Sequence, residues 1–184
     1  MIRPIYLYGS EVLRRTAEPA DLSKKEELAA LITDLKDTLV KSEGCGLAAP
    51  QIGVSLRVLI VDGNDMTDAY PYLAGFSRVM INPVILEEDS RNCEFSEGCL
   101  SIPGVYADIV RPASIKVEYY DENLEKKVET FDKFACRMVQ HEMSHLEGNL
   151  FTDLAAPIRR KMLAKKLLNI SKGKVSTHYI SKIK

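Results

Sequence analysis

The segment His141-Glu142-Met143-Ser144-His145 constrains the fold of this chain more than any other stretch. Four residues along a helix turn about 40° past a full circle and rise about 6 Å, so two histidines at that spacing reach one cation. Glu142 then lies beside the ion rather than on it, placed to handle the protons of a bound water. A fold compatible with this chemistry buries one face of the helix and opens the other to a cleft. The chain contains three histidines, and two of them stand in this motif.

A catalytic metal site of this kind takes three protein ligands and keeps one position open. Downstream of the motif the remaining histidine is His178, and the acidic residues end at Asp153. Upstream stand Cys45, Cys93, Cys99 and Cys136. Cys99 lies in Glu97-Gly98-Cys99-Leu100-Ser101, and its thiolate with two imidazoles would make a site suited to ferrous iron, zinc, nickel or cobalt. Cys93 and Cys136 read better as small buried hydrophobes.

A third segment, Gly44-Cys45-Gly46-Leu47-Ala48-Ala49-Pro50-Gln51, follows a helix stop with small residues. Tight packing alone explains such a run. Small side chains also let a backbone approach a ligand closely, and Gln51 would aim an amide donor at a developing oxyanion.

Around these segments the pattern is α+β. Residues 1–23 are irregular. Ser23 and Glu26 read as a capping box before a helix over 24–42, whose Leu28, Leu31, Ile32, Leu35 and Leu39 keep helical spacing and which Gly44 stops. Strands are expected at 57–62, 78–86, 106–110, 114–120 and 127–131, with Pro83 marking an edge strand or a bulge. Residues 63–76 read as an insertion that reshapes one wall of the cleft or merely extends a loop, the loop being favoured. Asp132 would cap a helix over 133–147 that Gly148 closes. A last helix over 157–171 would set Ile158, Met162, Leu163, Leu167 and Ile170 on one side and end at Gly173. The expected architecture is antiparallel strands around the helix that carries the histidines, with one helix toward each end.

The 184 residues suit one domain: a body over 1–155 extended by a basic helix and tail over 156–184. No apolar run is long enough to span a membrane, the N-terminus lacks the pattern of a signal peptide, and four cysteines in such a chain read as reduced thiols. The expected compartment is the cytoplasm. The net charge of −1 hides an asymmetry: residues 156–184 carry nine basic residues and no acidic one, which leaves −10 on the rest. That balance argues against a general DNA binder and leaves room for one localised basic docking element.

Taken in order, the three segments resemble the peptide deformylase family, marked by G-x-G-L-A-A-P-Q, E-G-C-L-S and Q-H-E-x-D-H. They stand here as Gly44–Gln51, Glu97–Ser101 and Gln140–His145. The resemblance implies a metal-dependent amidase that removes the formyl group from the N-terminal methionine of nascent chains and releases formate. Cys99, His141 and His145 would ligate one divalent ion, ferrous iron in the cell, with zinc, nickel or cobalt as substitutes. Glu142 would take a proton from metal-bound water and return it to the departing amine, and the Gln51 amide and Leu100 N–H would stabilise the oxyanion. Cys45, Phe95, Phe134 and Met138 would wall the methionine slot or serve as ordinary core. Gly46, Glu97 and Gly98 would shape the peptide-binding edge through backbone contacts. Ser144 departs from the family's Asp, which leaves the catalytic groups untouched but alters the surroundings of the metal helix.

Two rival readings stay open at this level. A zinc endopeptidase shares H-E-x-x-H, although no downstream third ligand is available for it. A ribosome-associated RNA-binding module would use the basic tail, and residues 157–174 would then recruit the chain to the ribosome, with or without catalysis.

Overall fold

Val58–Val61 is buried at every position, as expected of a strand covered on both faces, and the molecule is built around it. The computed structural model describes residues 1–183. In chain order the elements are β1 (Ile5–Tyr6), α1 (Lys25–Ser42), β2 (Gly46–Ala48), β3 (Val58–Asp62), β4 (Ser77–Glu88), β5 (Asn92–Cys99), β6 (Ile102–Pro112), β7 (Ser114–Tyr120), β8 (Lys126–Asp132), α2 (Lys133–Leu146), α3 (Phe151–Leu154), α4 (Pro157–Ser171) and β9 (Ser181–Lys182).

The main sheet has the order β2-β3-β4-β7-β8, all antiparallel. Successive strand residues point to opposite faces. Val58, Ile60, Val79 and Ile81 therefore meet Leu28, Leu31, Ile32, Leu35 and Leu39 of α1 on one side. Leu59, Val61, Met80 and Val117 meet Val139, Met143 and Leu146 of α2 on the other. Truncating a residue as buried as Leu35 costs about 2–5 kcal/mol, so the two helices clamp the sheet through such contacts. A separate β5–β6 hairpin packs Ile102 and Ile109 on Leu150, Phe151, Leu163 and Ile170. The chain ends meet: β9 lies parallel to β1, with the Leu7 N–H donating to the Lys182 carbonyl at 2.8 Å.

Several expectations need correction. Ser23 does not cap α1: Lys24 occupies the cap position, and the Ser23 hydroxyl donates to Asp21 Oδ1 at 2.7 Å. The left-handed residue that ends α1 is Glu43 (φ +54°), one position before Gly44. Asp132 sits at the N-cap of α2 without a side-chain bond, because the Phe134 N–H donates instead to the Tyr72 hydroxyl at 3.2 Å. Pro83 lies in a central strand and marks a bulge: the register slips between Ile81 and Val84, and Asn82 turns left-handed with both its amide atoms bound to the Ala20 backbone.

The 63–76 segment is a structured wall rather than a plain loop. It forms two 3-10 turns, buries Leu73, and stacks Tyr70 on Phe134 with ring centroids 4.3 Å apart. In α4 the expected apolar side is split: Leu163 and Ile170 are buried, whereas Ile158 and Met162 are 69% and 66% exposed. The helix packs through the stripe Leu163, Leu167 and Ile170, and Ile158 and Met162 fall outside it.

Candidate metal centre

Helix α2 carries two stripes. Val139, Met143 and Leu146 hold it to the sheet, while Met138, His141, Glu142 and His145 follow the i, i+3, i+4, i+7 pattern on its other side. Opposite them, β5 ends in Cys99. One donor atom each from Cys99, His141 and His145 lie within 4.8 Å of one another, and Cys99 Sγ is 3.3 Å from His145 Nε2. These are the three residues expected as ligands, brought together from segments more than forty positions apart.

Glu97 orients the set. Its Oε1 accepts from His141 Nδ1 at 2.7 Å, which leaves Nε2 as the metal-facing nitrogen. Arg111 donates to both carboxylate oxygens, at 2.9 and 3.0 Å, and Arg137 adds a bond at 3.0 Å. Burial alone would raise the Glu97 carboxyl, but His141 and Arg111 overcome it and hold the group at about 2. The expected role of Glu97, a backbone contact at the peptide edge, misses this function of its side chain. Nothing near Glu97 in sequence announces partners 14 and 40 residues away.

Glu142 is 4% exposed and its Oε2 has no hydrogen-bond partner. Burial, the largest influence, pushes its pKa up to about 7. Nδ1 of His145 is likewise buried without a partner. A buried carboxylate beside one thiolate and two imidazoles fits a divalent ion of intermediate softness, which would supply the countercharge that the carboxylate lacks. Burial pushes the Cys45 thiol up to about 12, and the donor cluster consists of Cys99, His141 and His145 without it.

Gln51 is buried with Oε1 accepting from the Ala48 N–H at 2.8 Å. Its Nε2 donates to Ser101 Oγ at 3.1 Å and lies 3.5 Å from Cys99 Sγ, so the amide faces the ligand cluster. A cavity of about 610 Å³ opens in front of these groups, lined by Cys45, Gly46, Gln51, Glu97, Gly98, Cys99, Leu100, Phe134, Met138, His141 and Glu142. Phe95 is not on its wall; it stands behind Phe134, ring against ring at 5.5 Å. β2 and β5 are both edge strands, and Gly46 and Gly98 on them line the cavity.

Two further walls complete the cavity: one that the sequence favoured as a plain loop over a reshaped cleft wall, and one that it did not indicate. Asp65 and Met66 come from the 63–76 segment, where five large apolar or aromatic residues, Met66, Tyr70, Tyr72, Leu73 and Phe76, were the available signal. Ser176, Thr177, His178 and Tyr179 come from the C-terminal tail, which shows no periodicity. Among the described residues no helix is long and apolar enough to cross a membrane.

Residues 2–161 match the family model described as polypeptide deformylase. The peptide deformylase of Chlorobium phaeobacteroides is 44% identical over 97% of this chain and 94% of its own length. That of Christiangramia forsetii is 41% identical with the same coverage. The crystal structure of the Thermus thermophilus peptide deformylase superposes with a TM-score of 0.83 at 34% identity, covering 94% of this chain and 99% of that one. A Legionella pneumophila peptide deformylase gives 0.82 at 35% identity, with 95% and 98% covered. Shared sequence over nearly the full length and a shared fold place this chain in the polypeptide deformylase family of metal-dependent hydrolases.

Proposed function

We propose that the chain hydrolyses the N-terminal formyl amide of formyl-methionyl nascent peptides in the cytoplasm and releases formate. The observation that carries this reading is the juxtaposition of Cys99, His141 and His145 with the buried Glu142 at the floor of an open cavity. Cys99, His141 and His145 hold the ion, ferrous iron in the cell, with zinc, nickel or cobalt accepted by the same donors. When bound, such an ion supplies Lewis acidity and a water of lowered pKa.

The protein's own groups do the rest. Glu142 takes the proton of the attacking water and returns it to the departing amine. The Gln51 amide and the Leu100 N–H face the carbonyl oxygen as negative charge develops there. The methionine side chain fills the space between Cys45, Phe134 and Met138, with Phe95 backing Phe134. The unpaired edges of β2 at Gly46 and of β5 at Gly98 receive the peptide backbone as an added strand.

The test is formate release from formyl-Met-Ala compared with cleavage of an internal peptide bond. The expected result is formate release alone, with Glu142→Ala keeping its metal and losing nearly all turnover. Cleavage of the internal bond, or an active Glu142→Ala, would overturn the reading.

A second role rests on α4. Ile158 and Met162, one turn apart on α4, are exposed apolar residues interleaved with exposed Arg160, Lys161, Lys165 and Lys166. Such a surface suits ribosome docking through residues 157–174. Reversing Lys161, Lys165 and Lys166 to Glu should abolish salt-sensitive co-sedimentation with ribosomes. Deleting the helix is a poorer test, because it also removes the buried Leu163 and Ile170.

A further inference from the structure

The C-terminal tail lines the cavity through Ser176, Thr177, His178 and Tyr179 and is fastened at two places. His178 Nε2 lies 3.2 Å from the Ser42 carbonyl at the end of α1, and β9 is paired with β1. Between these fastenings the Tyr179 hydroxyl donates to the Leu100 carbonyl at 2.6 Å. That carbonyl belongs to the Leu100–Ser101 peptide unit, which is planar and turns as one body. The N–H of the same unit, that of Ser101, points at Cys99 Sγ with nitrogen and sulfur 3.4 Å apart. A hydrogen bond at one end of a peptide unit fixes and polarises the other end.

We infer that Tyr179 is a positioning residue for the Cys99 ligand, acting through the Leu100–Ser101 peptide unit whose N–H bonds the sulfur. The inference rests on the metal reading above. A hydrogen bond to a thiolate withdraws electron density from sulfur, which sets how strongly it donates to a metal. Removing the phenol hydroxyl leaves the carbonyl of this unit without its side-chain donor and frees the plane to rock. The last turn of the tail thus tunes a ligand eighty positions earlier in the chain.

The experiment uses full-length protein loaded with cobalt(II), whose thiolate-to-metal charge-transfer absorption reports on the sulfur directly. In Tyr179→Phe the ring packing is retained. The expected result is a shift of that band to longer wavelength, as the sulfur regains electron density, together with cobalt affinity weakened by about tenfold because the freed peptide unit no longer holds the sulfur in place, the low end for residues supporting a ligand. Ser181→Ala, which removes only the contact with Thr177 within the tail, should leave the band where it is. Equal melting temperatures of the metal-free proteins would confirm that Tyr179→Phe folds normally. An unchanged band and affinity in Tyr179→Phe would overturn the inference while leaving the metal reading intact. A wild-type protein without any thiolate band would overturn both.

Discussion

Gly46 and Glu142 touch so closely that a Cβ at position 46 would lie 2.5 Å from Glu142 Oε1 and 2.9 Å from its Cγ and Cδ. Real Cβ atoms do not come that near, so β2 can carry only glycine here if the carboxylate is to keep its place. Gly46→Ala is therefore expected to displace Glu142 without touching the ligands. Turnover should fall by about 10²–10⁴, the range for losing a positioned acid–base group, while the metal content stays at the wild-type level. Formate release and metal stoichiometry on the same preparation check this. An alanine variant within twofold of wild type would show that the carboxylate is not working from this position.

The pH profile follows from the same carboxylate. Burial raises Glu142 to about 7, and the group takes up a proton in its ionised form, so activity is lost as pH falls below its pKa. A bound divalent cation favours the ionised form and moves the midpoint downward. The acid limb of kcat/KM is expected between the ordinary carboxylate range and about 7. It should vanish from the residual activity of Glu142→Gln. A limb that persists unchanged in that variant would assign the titration to another group.

Glu97 joins Arg111, Arg137 and His141 in one buried network. Its pKa is about 2 in the fold against an ordinary 4.5, so the carboxylate contributes stability that is fully present above 4.5 and is lost as pH falls toward 2. Glu97→Gln keeps the shape but leaves two buried guanidinium groups without their counterion. The expected cost is about 3–5 kcal/mol, measured by denaturant unfolding at neutral pH. The acid dependence of unfolding between 4.5 and 2 should flatten in the variant. A cost under 1 kcal/mol would mean that the arginines find other partners.

How far the molecule could be read from its residues depends on the range of the interaction concerned. The spacing of His141 and His145 is local, and α2 presents both as that spacing requires. Helix α1 and the alternating β7 were likewise legible, since their burial repeats every 3.6 or 2 residues. β5 was not, because Asn92–Cys99 offers Phe95 as its single large apolar residue and owes its existence to pairing with β6. The side-chain role of Glu97, the wall built by 63–76 and the contact of Tyr179 with Leu100 depend on partners far away in the chain. The site motif told which residues take part; only the tertiary contacts told what holds them.

Ser144 stands where the family motif has Asp, and its hydroxyl accepts from Arg111 Nη1 at 2.9 Å while donating to the Gln140 carbonyl at 3.0 Å. Arg111 thus has one carboxylate partner, Glu97, and one neutral one. Ser144→Asp would convert the neutral contact into a charge-assisted one, worth about 1 kcal/mol more at a position that remains partly hydrated. The variant is expected to melt higher and to keep turnover within about threefold, since residue 144 contacts neither the ligands' donor atoms nor Glu142. The added carboxylate also shares Arg111 with Glu97 and leaves Glu97 a stronger acceptor toward His141, so metal affinity should rise or stay equal. Thermal unfolding with parallel metal titration decides the matter: a variant that melts lower, or that binds metal more weakly, would show that Arg111 is already satisfied and that a second carboxylate only adds repulsion against Glu97.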